Sequence, residues 1–131
     1  MTMLTRDAIL SADDLRKEVV KVPEWGKDVE VIVGSMTAAA RDSWEQSLIA
    51  SDGKGVNTAN ATARLLVACI INEKGERVFK ESDAEQLGRK SARALNRLAR
   101  AAQRLNGLTA SDIEAAKGNS DAGPSSGSAT T

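Results

Sequence analysis

Residues 91–108, SARALNRLARAAQRLNGL, narrow the folds open to this chain more than any other stretch. At about 100° per residue, Arg93, Arg97, Arg100 and Arg104 fall within about 60° of one another on a helix. Leu95, Leu98, Ala102 and Leu105 gather on the opposite side. A helix with one apolar stripe must bury it against another layer. The spacing therefore predicts a helix over 91–106 that is part of a packed domain, with leucines inward and arginines in one outward ridge. Asn106-Gly107 closes it, Gly107 supplying a left-handed C′ residue.

No acid lies between Arg89 and Arg104, so the ridge is unpaired along its own helix. Three readings follow. The arginines pair with acids elsewhere in the fold, or dock an acidic protein or another copy, or contact phosphates. Charge bears on the third. The chain of 131 residues balances 18 basic against 18 acidic groups, whereas domains that coat nucleic acid are strongly basic. The balance hides a split: residues 1–58 carry 7 basic and 10 acidic groups, residues 59–131 carry 11 and 8. Trp25, Trp44 and Phe79 are the only aromatics, and none is interleaved with the arginines to stack on bases. Nucleic acid is thus disfavoured as a partner, and a small nucleic-acid-binding regulator using the ridge is the alternative function.

Upstream the hydrophobic period changes. VEVIV alternates, placing Val29, Val31 and Val33 on one face, and EVVKV is equally rich in β-branched residues. Pro23 and Gly26 mark the loop between them. A β-hairpin is expected over 18–33, with strands near 18–22 and 29–33. A lone hairpin is marginal in water and must pack on something. Met36, Ala40, Trp44 and Leu48 then recur at four-residue steps, predicting a helix over 37–50 with Thr37 as N-cap.

A further helix is expected over 59–71, apolar on most sides in its second half. A strand over LLVACII, with NEKG as turn and ERVF returning, is the competing reading. SDAE has capping-box spacing, so a short helix is expected over 83–88, weakened by Gly88. A last short helix covers 109–117. Residues 1–17 are read as a loosely ordered segment with a helical turn starting at SADD. The polar residues 118–131 are read as a disordered tail, since nothing there offsets ordering entropy. The expected fold is α+β and mostly α: one domain, 18–117, with an N-terminal β-hairpin packed on a small bundle of about four helices.

Trp25, between Glu24 and Gly26 in the hairpin loop, either folds back onto the core or projects as an interface anchor. Little suggests catalysis. Histidine is absent, which removes serine–histidine and cysteine–histidine nucleophile pairs. Cys69, the one cysteine, sits in the apolar run LLVACII and reads as a buried structural thiol. The acids show no calcium-loop spacing, and the glycines form neither a phosphate loop nor a dinucleotide fingerprint. No catalytic, metal or cofactor residue is assigned. The longest apolar run is far short of the about 20 residues that span a bilayer, and a reducing cytoplasm is the default setting.

The order VPEWG, then RDSWEQSL, then RLLVACIINEKGERVFKESDAEQLGRKSARALNRLARAAQRLNGLT resembles the tail assembly chaperones of long-tailed, siphophage-type bacteriophages. The resemblance spans about residues 15–117. It implies a small, mostly helical, non-enzymatic protein with a β-hairpin, acting in the host bacterial cytoplasm and absent from the finished virion. It implies binding to the tape measure protein. It also implies a shorter, non-frameshifted form here, with a longer form, made by programmed frameshift, recruiting the major tail tube protein. Self-association is a further expectation. The partner-binding candidates are Arg93, Arg97, Arg100, Arg104 and Trp25.

Overall fold

The computed structural model describes residues 2–49, 53, 55 and 59–108. The expected helix over 109–117 and tail over 118–131 lie outside these. In chain order the elements are α1 (Arg6–Ser11), β1 (Lys17–Lys21), a 3₁₀ turn (Pro23–Trp25), β2 (Glu30–Gly34), α2 (Ala38–Ser47), α3 (Ala61–Cys69), β3 (Ile70–Ile71), a second 3₁₀ turn (Glu81–Asp83), α4 (Ala84–Leu87) and α5 (Ala92–Leu105).

The alternating valines form the hairpin. β1 and β2 pair antiparallel, with Val20 opposite Val31 and Glu18 opposite Val33. The hairpin is not alone, however. β3 adds to β2, Ile71 opposite Ile32 and Ile70 opposite Val33, giving a three-stranded antiparallel sheet in the order β1-β2-β3. The helix expected to continue to residue 71 stops at Cys69, where Ile70 turns extended at φ −78° and ψ 126°. Both competing readings of LLVACII therefore hold part of the stretch. The NEKG turn follows as a tight hairpin. The Asn72 carboxamide oxygen accepts from the Lys74 and Glu76 N–H groups at 2.8 and 3.0 Å, and Gly75 takes φ 82°. Ile71 then bridges to Arg77.

Several boundaries differ for local reasons. The N-terminal helical turn starts not at Ser11 but after Thr5, whose hydroxyl accepts from the Ala8 N–H at 3.3 Å, and Ser11 ends it. α2 begins on the expected cap, Thr37, whose hydroxyl accepts from the Ala40 N–H at 3.0 Å. The turn before α4 opens at Glu81, not Asp83, because the Asp83 carboxylate reaches back to the Lys80 N–H at 2.8 Å. Gly88 has a packing role: a Cβ there would lie 2.3 Å from the Asn60 carboxamide oxygen at the start of α3.

The core lies between one face of the sheet and the helices. α3 and α5 pack on each other, and both bury small residues, Ala63 on one and Ala94, Ala101 and Ala102 on the other. Leu66 of α3 and Leu98 of α5 are fully enclosed in this core. α5 also covers β1 and β2. Its leucine side faces inward as the wheel predicts, with Leu95, Leu98 and Ala102 buried and Leu105 half-buried. The helix ends in a Schellman motif: the Leu108 N–H donates to Gln103 O at 2.8 Å and the Gly107 N–H to Arg104 O at 3.3 Å. Gly107 has φ 66°, the left-handed conformation expected of it.

Asn106 is the polar clip at that end. Its carboxamide oxygen accepts from the Met36 N–H at 2.6 Å. Its nitrogen donates to Ala102 O at 2.8 Å and toward Cys69 Sγ at 3.6 Å. One side chain thus ties the entry to α2, the end of α3 and the end of α5.

Candidate functional site

The four arginines of α5 do share its outer side, but they are not one free ridge. Arg97 forks onto Glu24 in the Pro23–Trp25 turn, with nitrogen–oxygen distances of 2.5 and 2.8 Å. Arg104 reaches Glu18 on β1 at 2.7 Å. The Arg97 and Glu24 side chains keep 35% and 22% of their surface open. The fork holds the Glu24 carboxyl well below its ordinary range, at about 2, with Arg93 adding a weaker attraction. Arg93 and Arg100 make no hydrogen bond or ion pair among the described residues. The ridge therefore divides by turn: two arginines pair with acids of the hairpin and its loop, and two make no such pair among the described residues.

These acids escape sequence reading because they lie 73 and 86 residues away in the chain. The opposite net charges of the two halves were the one available signal.

Trp25 is held by the loop geometry. The Val22 N–H donates to Val29 O at 3.0 Å, closing the loop, and the Trp25 N–H donates to Val22 O at 3.0 Å. Gly26 has φ 147°, and a Cβ there would come 2.8 Å from Val29 Cγ2. Trp25 is half-buried and packs against the core, as do Val31 and Phe79. Its remaining surface is shared by two open grooves. One, of about 530 Å³, lies along β2 and β3 and carries Glu30 and Glu73. The other, of about 720 Å³, lies toward α4 and carries Glu24, Asp83 and Lys90. Val78 and Phe79 belong to both. Sequence reading missed these two, because Arg77–Phe79 reads as an undecided strand fragment with no period.

A second apolar surface is the N-terminal arm. Met3, Leu4, Ile9, Leu10 and Leu15 are all exposed, and α1 buries none of its residues. Cys69 offers no reactivity: it is buried and free, and burial pushes its thiol up to about 11 despite the Asn106 amide and the Arg77 charge. Among the described residues no helix is long and apolar enough to cross a membrane.

The sequence matches the family described as phage tail assembly chaperone over residues 5–118. Among solved structures, the bacteriophage HK97 tail assembly chaperone matches with a TM-score of 0.53 and 23% identity, over 70% of this chain and 85% of that one. That likeness shows a shared fold. No curated protein matches the chain. The chain belongs to the phage tail assembly chaperone family.

Proposed function

We propose that this chain, as a member of the phage tail assembly chaperone family, is a non-enzymatic holdase that binds the tape measure protein during tail assembly in the host cytoplasm. The observation that carries the reading is the family match over residues 5–118. Two exposed apolar surfaces, the arm and the Trp25 grooves, support it. A holdase needs such surface on a folded body, and ordinary monomers keep little of it. On this reading the chain acts without a cofactor and leaves before the virion is finished. The tail tube protein is recruited by a longer, frameshifted form sharing this body.

The arginine candidates take separate parts. Arg97 and Arg104 hold α5 against the sheet, while Arg93 and Arg100 face an acidic partner or another copy. Co-expression is the test: the tape measure protein stays in the soluble fraction with this chain and aggregates without it. Equal solubility in both cases overturns the reading. Arg93→Glu with Arg100→Glu weakens client binding or self-association at unchanged helicity. If both are unaltered, the two arginines are a solvated face.

A further inference from the structure

β1 is an outer strand, since the sheet order is β1-β2-β3. Its backbone bonds to β2 alternate along the pairing. The Ser35 N–H donates to Arg16 O at one end, and the Val22 N–H donates to Val29 O at the other. In the register between them, Glu18 and Val20 also turn their backbone groups to β2. Lys17, Val19 and Lys21 turn theirs the other way, to an edge where no strand lies. Among the described residues those N–H and C=O groups have no partner. All three residues are exposed, so nothing covers the edge. A row of open donors and acceptors is a template for one more strand.

Charge selects what can pair there. Lys17 and Lys21 flank Val19 on the outer face and make no ion pair among the described residues. On the inner side α5 runs beside the strand. Arg104 reaches Glu18, and Arg97 reaches Glu24 just beyond β1. Arg100 lies between them on the same side of the helix, exposed and unpaired among the described residues. The nearby acids are committed or farther off. Glu18 and Glu24 are held by those arginines. Glu30 faces Lys21 from β2, two strand spacings, about 10 Å, from an added strand. Asp13 and Asp14 precede the strand, where Arg16 adjoins them. The filled side of β1 shows what fits, with Glu30 opposite Lys21 and Ile32 opposite Val19. A second copy fits poorly. Setting valine 19 on its equivalent places each Lys17 against the other copy's Lys21, and centring on either lysine places it against itself. We propose that the free edge of β1 takes an extended segment of a client chain as a fourth strand. Its outward side chains read acidic, apolar, acidic against Lys17, Val19 and Lys21. The inference rests on the chaperone reading above and adds to it the edge of contact and the form in which the client is held.

The backbone amides are the reporters. The full chain is titrated with three synthetic peptides of one length. The first reads glutamate–threonine–valine–threonine–glutamate at its centre, the second has lysine for glutamate, and the third is the first with alternate backbone nitrogens methylated. The acidic peptide binds saturably. At saturation it slows amide hydrogen exchange at Lys17, Val19 and Lys21 about tenfold, while the Val20 amide, already bonded to β2, keeps its rate. The lysine and N-methylated peptides change neither. Lys17→Gln with Lys21→Gln weakens the acidic peptide about fivefold, as expected for the loss of two exposed charge pairs.

Equal binding of the lysine peptide overturns the inference, as does unchanged affinity in the double variant. Equal binding of the N-methylated peptide overturns it too, since the contact would then be one of side chains alone. So does protection of the same amides that rises with protein concentration without peptide, which would seat a second copy at the edge. Binding by none of the three leaves the lysines as a guard against strand pairing and overturns it as well. Co-expression with the tape measure protein separates the two levels. If the unaltered chain fails to hold that protein in solution, the proposed function falls. If the unaltered chain and the Lys17→Gln, Lys21→Gln variant hold it equally well, the edge alone falls.

Discussion

The two faces of the sheet are built from the same residues and meet opposite fates. Val20, Val33 and Ile70 point to the helices and are 8%, 0% and 3% exposed. Val19, Ile32 and Ile71 point away; Val19 is 55% exposed and the other two are half-buried. Strand alternation accounts for two faces but not for valine and isoleucine on both. A sheet covered on one side ordinarily turns polar residues to water. Here the lysines of β1 flank an apolar row, and the row adjoins a groove walled by a tryptophan. Cross-strand pairing of Val19 with Ile32 and of Ile32 with Ile71 stabilises the sheet from this side as well.

The contrast can be broken from the covered side first. Leu98→Ala removes a fully enclosed side chain between α5 and the layers beneath it. The loss is about 3 kcal/mol, read as a lower urea midpoint at unchanged slope. A loss below about 1 kcal/mol would mean that this core is as loosely filled as the outer face.

The next test exchanges one residue type on the two faces. Val33→Thr buries a hydroxyl and costs about 2 kcal/mol. Val19→Thr stays within about 0.5 kcal/mol because its hydroxyl meets water. Equal costs would mean that the outer row is covered after all. Asn106→Ala then probes how polar groups are settled inside the covered layer. It strips the acceptor from the Met36 N–H and costs about 1 kcal/mol by the same urea measurement.

The smallest effect is electrostatic and belongs to the staple between sheet and α5. The folded Glu24 carboxyl sits at about 2, below its ordinary 4.5. Its contribution to stability is complete above the ordinary value and is lost as pH falls through the folded one. Glu24→Gln flattens that part of the acid limb of the stability curve and lowers the neutral-pH midpoint by the same small amount, since exposed pairs are worth little in water. An unaltered acid limb would show that Arg97 does not engage Glu24 in solution.

Much of the covered layer was legible in the chain, because burial imposes a period. Val29, Val31 and Val33 marked one strand face, Trp44 and Leu48 lie in the core as their four-residue spacing implied, and the α5 wheel separated leucine from arginine correctly. What was not legible lacks a period. A two-residue strand shows none, so β3 took its state from the register offered by β2. The Arg97–Glu24 and Arg104–Glu18 pairs depend on how the hairpin lies on α5, which no i±4 rule samples. The groove was hidden for the same reason: Trp25 and Phe79 come together only after the sheet and the Asn72–Glu76 turn are in place. Trp25 is half-buried, packed against the core as the first of its two readings expected and lining the grooves with the rest of its surface.

The clip at Asn106 also sets a timetable for synthesis. The inner face of the sheet is made first, but its cover, α5, is nearly the last of the described residues to leave the ribosome. The contacts of Asn106 with Met36 and Ala102, and the enclosure of Leu108, come later still. The nascent hairpin therefore waits uncovered until residue 108 has emerged, and then the whole body can close in one step.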